Sequence, residues 1–178
     1  MQVLEFDTVV IGSGLAGLTS AFYASDFGSV AIVTKSQLDT SNSYYAQGGI
    51  AAAITEDDSP EQHLNDTLLA GRGLCDKDAV ELLVNEGKQR VLDLIEMGMD
   101  FDKQNGEYVL GLEGGHSKRR ILHAGGDATG KKLTCFFLQK VKEQVKIQPF
   151  EYHAVIKLLK NEDCIVGVQA FDFKTGEN

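Results

Sequence analysis

The fold is decided by a short stretch near the N-terminus, Val9-Val10-Ile11-Gly12-Ser13-Gly14-Leu15-Ala16-Gly17-Leu18. The β-branched run over residues 8–11 is typical of a buried strand, and the glycine-rich turn after it opens a helix. The spacing Gly12-x-Gly14-x-x-Gly17 fits the dinucleotide fingerprint, in which glycines allow a tight turn, a close approach to a pyrophosphate and close helix–strand packing. The phosphates would lie at the free N–H groups of the helix N-terminus. The alternative is a tight strand-to-helix turn without a ligand.

The residues after this turn predict a second strand parallel to the first. A helix is expected over residues 15–27, Gly28 ends it, and residues 30–33 are again apolar. The handedness of such crossovers makes the two strands parallel. An NAD-binding fold would end the second strand with an acidic residue that holds the ribose hydroxyls. Thr34-Lys35-Ser36 stands there instead, which disfavours plain NAD binding and leaves Lys35 either near a phosphate or in solvent.

A polar segment without helical or strand periodicity follows the second strand, and it is predicted to be a loop. Its sequence is Asp39-Thr40-Ser41-Asn42-Ser43-Tyr44-Tyr45-Ala46-Gln47-Gly48-Gly49-Ile50. Hydroxyls, amides and bare backbone N–H groups are the donors that a flat cofactor and its pyrophosphate need. A surface connector is the alternative, but a connector would not need a tyrosine pair beside two glycines.

The rest of the chain predicts helices followed by paired strands. Helix start signals and helical periodicity indicate helices over about residues 60–70, 76–97 and 130–141. The stripe of the second of these, which includes Leu83, Val84 and Val91, is expected to be core. Shorter strands or hairpins are expected over residues 101–112 and 121–124, and strand patterns over residues 145–147, 151–159 and 164–173. The predicted fold class is α/β over the single domain 1–178, with a parallel sheet plus an antiparallel β-meander.

Another stretch contains side chains that could take part in a reaction: Leu112-Glu113-Gly114-Gly115-His116-Ser117-Lys118-Arg119-Arg120. Glu113 could pair with a cationic amino group, and His116 could serve an acid–base step. From the residues alone, a solvated turn is the favoured reading. His123 is expected to be structural.

Composition narrows the classes of partner. The net charge of −9 argues against nucleic acid and anionic membranes, which require basic surfaces. The first residues contain neither a basic region nor a cleavage site of small residues, so no leader is expected, and no apolar run is long enough to span a bilayer. The three cysteines are scattered, which predicts reduced thiols in a cytoplasmic protein and no metal site.

Several motifs, taken in order, resemble those of the L-aspartate oxidases, flavoproteins related to succinate dehydrogenase and fumarate reductase. The stretch Glu113-Gly114-Gly115-His116-Ser117 indicates the oxidase branch, whereas the glycine-rich turn is shared more widely. The other matching segments are Tyr45-Ala46-Gln47-Gly48-Gly49-Ile50-Ala51-Ala52, Arg119-Arg120-Ile121-Leu122-His123-Ala124 and Asp127-Ala128-Thr129-Gly130. The resemblance runs through this chain but covers only the N-terminal part of a member. It implies a Rossmann-like FAD-binding domain, truncated before the capping domain.

The resemblance implies FAD as the cofactor in place of NAD. Asn42 stands where related dehydrogenases have a histidine that bonds the flavin covalently, which implies noncovalent FAD. Glu113 falls at the position that orients the substrate. The implied FAD contacts are Gly12, Ser13, Gly14, Leu15, Ala16, Lys35, Asn42, Ser43, Tyr44, Tyr45, Ala46, Gln47, Gly48, Gly49 and Ala154.

The implied reaction is the oxidation of L-aspartate to iminoaspartate, the first step of de novo NAD biosynthesis, with O2 or fumarate as acceptor. Quinolinate synthase is a possible partner. Because the family's catalytic arginine and capping domain fall after residue 178, these residues alone are expected neither to oxidise aspartate nor to hold FAD tightly. The alternatives are a fumarate reductase-like flavoprotein and a nucleotide-binding module without catalysis.

Overall fold

A computed structural model describes residues 3–177. The chain divides into two compact units, one formed by Met1–Ala46 with Lys131–Asn178 and the other by Gln47–Gly130. In chain order the elements are β1 (Thr8–Ile11), α1 (Leu15–Ala24), β2 (Val30–Thr34), β3 (Ile50–Ala51), α2 (Pro60–Gly71), α3 (Lys77–Glu96), β4 (Lys103–Gln104), β5 (Glu107–Tyr108), β6 (Leu110–Gly111), β7 (Ile121–Leu122), α4 (Thr129–Glu143), β8 (Ile147–Glu151), β9 (His153–Asn161) and β10 (Cys164–Asp172).

The first unit is built on a parallel sheet in the order β1-β2-β8. Every residue of the central strand β2 is buried, as its apolar sequence predicts for a strand covered on both faces. Leu18 and Ala21 of α1 are fully buried, and the Phe22 and Phe137 rings of α1 and α4 meet edge to face at 6.2 Å. The predicted strand–helix–strand unit is therefore confirmed, with α1 ending at Ala24, before the predicted residue 27.

The strand after α4 lies in the parallel sheet. Ile147 pairs with Val30, and the register continues to Glu151 against Thr34. Tyr152, at φ +61°, then separates β8 from the antiparallel pair β9–β10. The predicted antiparallel strands are thus present as a hairpin, while the segment that begins at Ile147 joins β2 because α4 acts as a second crossover helix.

The second unit combines a helix pair with small antiparallel sheets, β3-β7-β6 and β4-β5. The helix starts follow the expected chemistry: the Ser59 hydroxyl accepts from Gln62 N at 3.1 Å, and the Asp76 carboxylate accepts from Ala79 N at 3.0 Å. Val84 and Val91 of α3 are buried as predicted, but Leu83 is 67% exposed. Within residues 3–177, no helix has the length and apolar character needed to cross a membrane.

Candidate functional site

The glycine-rich turn has the close packing that its sequence predicts. Gly12 adopts φ +98°, a conformation that favours glycine, and its N–H donates to Val33 O at 2.8 Å. A Cβ atom on Gly17 would overlap the carbonyl oxygen of Gly12. The turn therefore needs glycine at both positions, one for its backbone conformation and the other for the contact between α1 and the turn.

The N-terminus of α1 is suited to an anion. Its N-cap is Gly14, which supplies no side-chain hydrogen bond, and the first turn contains no acidic residue. The N–H of Leu15 donates to Ser43 Oγ at 3.0 Å, so the loop after β2 lies against this helix end. The dipole and free N–H groups of a helix N-terminus favour a negatively charged group such as a pyrophosphate.

A cavity of about 330 Å³ opens at the carboxyl ends of β1 and β2. In parallel sheets, ligands bind outside these strand ends. The cavity brings together residues that are far apart in sequence, and Ser13 Oγ lies 3.1 Å from Thr34 Oγ1 within it. Of the predicted cofactor residues, its lining includes Gly12, Ser13, Lys35 and Ala154.

The same cavity is also lined by Thr34, Ser41 and His153, which are not among the predicted FAD contacts. His153 Nδ1 donates to the carbonyl oxygen of Glu151 at 2.7 Å, which fixes the ring beside the cavity. Its signal in the sequence was weak, because it lies inside a strand pattern. Only the fold brings that strand beside the end of β2.

Other predicted cofactor residues of the first unit lie outside this cavity lining. Tyr44 lines a separate cavity of about 640 Å³, and the Lys131 ammonium lies 5.6 Å from its ring centroid. Tyr45 packs edge to face on Tyr44 at 5.2 Å but is 70% exposed. Asn42 and Ala46 are exposed as well.

In the second unit, the Gln47-Gly48-Gly49 segment leads into β3, which pairs with β7. Gly49 packs so closely on this strand that an added Cβ would lie 2.5 Å from Leu122 O and 3.1 Å from the His123 ring. His123 Nε2 in turn lies 3.5 Å from Glu113 Oε1. The last predicted cofactor glycine and the predicted substrate residue are therefore both neighbours of His123.

Residues 113–117, which we call the 113–117 turn, fold against α2. His116 N donates to Glu113 O at 3.2 Å, and Gly115 has φ +89°. The Glu113 side chain is about half exposed (53%), so its carboxylate is accessible to a small molecule. This backbone hydrogen bond closes the turn.

Beside this turn lies a buried charge network that the sequence did not predict. Arg120 Nε and Nη2 donate to the two carboxylate oxygens of Asp58 at 2.7 and 2.8 Å, and Nη1 donates to Asp66 at 2.7 Å. Nη1 also donates to His116 Nδ1 at 3.2 Å. The side chains of Arg120 and Asp58 are fully buried.

The charges of this network are mutually stabilised. Burial raises the pKa of Asp66, but the hydrogen bonds from Ser117 and Arg120 outweigh it, and the pKa lies below its ordinary value. Burial lowers the pKa of Arg120, whereas its bonds to Asp58 and Asp66 raise it above the ordinary value. Burial and then the charge of Arg120 lower the pKa of His63, so that this ring is neutral near pH 7.

The donor set fits a dinucleotide cofactor and offers little to a metal. A helix N-terminus whose N-cap Gly14 adds no side chain, a turn packed closely on glycines and a cavity at the strand ends are what a pyrophosphate and a nucleoside require. Among residues 3–177, no group of three or more His, Cys, Asp or Glu side chains is arranged to hold a metal ion. Cys75, Cys135 and Cys164 are free thiols.

Comparison with known proteins gives a family match over nearly the whole chain. The model of the FAD binding domain family matches residues 7–178. An L-aspartate oxidase of Streptomyces coelicolor is 47% identical over 88% of this chain and 27% of its own length. The L-aspartate oxidase of Bacillus subtilis is 43% identical over 93% of this chain and 31% of its own. The chain thus spans less than a third of the length of these relatives.

Solved structures of related flavoproteins have the same fold. Quinol fumarate reductase of Escherichia coli superposes with a TM-score of 0.90 at 27% identity, covering 97% of this chain and 30% of that one. The Sdh1 complex of Mycobacterium smegmatis with UQ1 gives a TM-score of 0.86 at 30% identity, covering 96% and 31%.

Proposed function

This chain belongs to the FAD binding domain family, and from that premise we propose that it is the N-terminal part of an L-aspartate oxidase. The proposal rests on the difference in sequence identity between two groups of relatives. L-aspartate oxidases are 36–47% identical to the chain, whereas the fumarate reductase structure is 27% identical despite its close superposition. The proposed reaction converts L-aspartate to iminoaspartate with the release of two electrons and two protons, a first step towards NAD.

FAD is the cofactor of this family, and when bound it supplies the two-electron acceptor of the reaction. The chain's contribution is to hold it: α1 offers its N-terminal N–H groups, and the cavity at the strand ends fits a nucleoside. We propose noncovalent binding, because the amide of Asn42 cannot form the bond that a histidine forms. Acid precipitation of the loaded protein should then leave the flavin in the supernatant. The residues proposed to contact FAD are Gly12, Ser13, Gly14, Leu15, Ala16, Lys35, Asn42, Ser43, Tyr44, Tyr45, Ala46, Gln47, Gly48, Gly49 and Ala154.

Glu113 is proposed to orient the substrate. Its carboxylate is half exposed beside His123 and can pair with the ammonium group of L-aspartate. A charge pair of fixed geometry selects an amino acid over a dicarboxylate without an amino group.

O2 or fumarate is proposed as the acceptor that reoxidises the flavin, and quinolinate synthase as the protein that consumes the product. A cytoplasmic location is proposed on the basis of the free thiols. A plant relative is named as chloroplastic, which shows that the location differs between relatives.

The test is Glu113→Gln in the complete, FAD-loaded protein, with Glu107→Gln as the matched control. Glu107 is an exposed carboxylate on β5 of the same unit. Loss of a charged hydrogen bond costs about 1.5–3 kcal/mol, which corresponds to a decrease of roughly 10–100-fold in kcat/KM for L-aspartate. Glu107→Gln should leave kcat/KM unchanged. Unchanged aspartate kinetics in Glu113→Gln would remove Glu113 from this role.

A fumarate reductase-like flavoprotein is the second candidate, favoured by the TM-score of 0.90. The substrate that the complete wild-type protein turns over distinguishes the oxidase from the reductase. A reductase would reduce fumarate with an external donor and leave L-aspartate unoxidised, whereas an oxidase would oxidise L-aspartate. A nucleotide-binding module without catalysis would do neither.

A further inference from the structure

The side chains of α2 that face the 113–117 turn recur at helical spacing. Gln62 Nε2 donates to Ser117 Oγ at 3.3 Å, Asp66 bonds the same residue, and Ala70 lies 3.3 Å from the position a Cβ would take on Gly115. Residues four apart share one face of a helix. The turn therefore lies along a single face of α2.

Asp66 is the centre of this contact. Its Oδ2 atom accepts from Ser117 N at 2.8 Å, from Ser117 Oγ at 2.8 Å and from Arg120 Nη1 at 2.7 Å. The side chain of Asp66 is 14% exposed, so these bonds are largely shielded from water. One oxygen thus ties both ends of the segment 117–120 to the helix.

The contact extends from Asp66 to Glu113 in two further steps. Arg120 Nη1 donates to His116 Nδ1 at 3.2 Å, and His116 N donates to Glu113 O at 3.2 Å. Asp58 holds the other two nitrogens of Arg120, so the guanidinium cannot rotate away from His116. Every link in this series is a hydrogen bond within one compact unit.

We propose that Asp66 is a positioning residue of the substrate site, fixing the 113–117 turn, and with it the direction of the Glu113 carboxylate, through Ser117 and Arg120. The inference rests on the proposed function, because it gives Asp66 a role in binding the amino group of the substrate. Misplacement of a substrate-orienting group by about 1 Å is enough to change turnover strongly.

The test compares Asp66→Ala and Ser117→Ala with Glu86→Gln, an exposed carboxylate of α3, in the complete, FAD-loaded protein. Asp66→Ala should raise KM for L-aspartate by about tenfold or more. Ser117→Ala keeps Arg120 paired with both aspartates and should raise KM in the same direction by about threefold. The dissociation constant of FAD should stay at the wild-type value in all three variants.

Hydrogen–deuterium exchange supplies a readout that needs no turnover. Peptides covering residues 110–120 should exchange faster in Asp66→Ala than in wild type. In Glu86→Gln their exchange rate should equal that of wild type. A merely structural role would lower Tm and leave KM unchanged, and that result would overturn the inference. If the wild-type protein does not oxidise L-aspartate, the proposed function fails, and equal exchange in Asp66→Ala and wild type would overturn the positioning of the turn separately.

Discussion

Ser43 Oγ accepts a hydrogen bond of 3.0 Å from the backbone N–H of Leu15, the first residue of α1. The two residues are 28 positions apart, and the bond attaches the loop after β2 to the helix end proposed to hold the pyrophosphate. The glycine-rich turn and the beginning of the Asn42–Gly49 segment therefore meet, as the role in cofactor binding that we propose for both requires.

Ser43→Ala should weaken FAD binding. A hydrogen bond of this kind contributes about 1 kcal/mol, so the dissociation constant should rise about fivefold. Quenching of flavin fluorescence, as the complete apoprotein is titrated with FAD, measures this dissociation constant. Ser20→Ala, an exposed hydroxyl on α1, is the control, and equal affinities of the two variants would show that the bond does not support the cofactor site.

Gly17→Ala should destabilise the first unit, because the new methyl group would overlap the backbone carbonyl of Gly12, which cannot turn aside. The expected loss in the free energy of unfolding is about 3 kcal/mol. Gly87, inside α3, has open space around it, and Gly87→Ala should stabilise by about 0.5–1 kcal/mol. Urea denaturation measures whether Gly17→Ala lowers the free energy of unfolding and Gly87→Ala raises it. A Gly17→Ala variant as stable as wild type would contradict the packing of this turn.

Arg120→Met should be severely destabilising, because it leaves Asp58 and Asp66 without their buried partner. Breaking a buried ion pair by removing one member costs about 3–5 kcal/mol. The matched control is Arg90→Met, which removes an exposed pair with Asp93 on α3 and should cost less than about 0.5 kcal/mol. Denaturant unfolding measures both variants. Similar losses in their free energy of unfolding would mean that the buried Arg120 network stabilises the protein no more than an exposed ion pair does.

The stability of the protein should decline as the pH falls below 6.5, in part through His63. Burial lowers the pKa of this ring in the folded state below its ordinary value of 6.5. The unfolded chain therefore binds the proton first, and stability is lost as pH falls from 6.5 towards the folded-state pKa.

The matched variant for this effect is His63→Gln. The free energy of unfolding should decline less steeply with acidity in His63→Gln than in wild type, by at most about 1.4 kcal/mol per pH unit. Asp66 acts in the same direction but only near and below pH 3.8, so the two windows are separate. Parallel curves between pH 5 and 6.5 would argue against a buried neutral His63.

Features that depend on local chemistry could be predicted from the sequence. The turn after β1 needs glycine for backbone reasons, and the caps of α2 and α3 depend on side chains within three residues of the bonds they make. Such signals are readable because the partners are near in sequence. The parallel pairing of β1 and β2 followed from the handedness of the crossover between them.

Features that depend on distant partners could not be predicted in this way. Arg120 lies 62 and 54 residues from its two aspartates, and nothing near it in the sequence indicates either partner. Nothing local indicated that β8 would pair with β2. For Leu83 the local pattern was misleading. Helical spacing predicts that it is buried, but the buried residues of α3 are Val84 and Val91, and Leu83 is exposed.

L-aspartate oxidase activity is tested most directly by adding L-aspartate anaerobically to the complete, FAD-loaded protein and following the absorbance of the flavin. We expect L-aspartate to bleach the yellow flavin, and admission of O2 or fumarate to restore its colour. If the flavin stays oxidised with L-aspartate, although dithionite reduces it, the protein is not an L-aspartate oxidase.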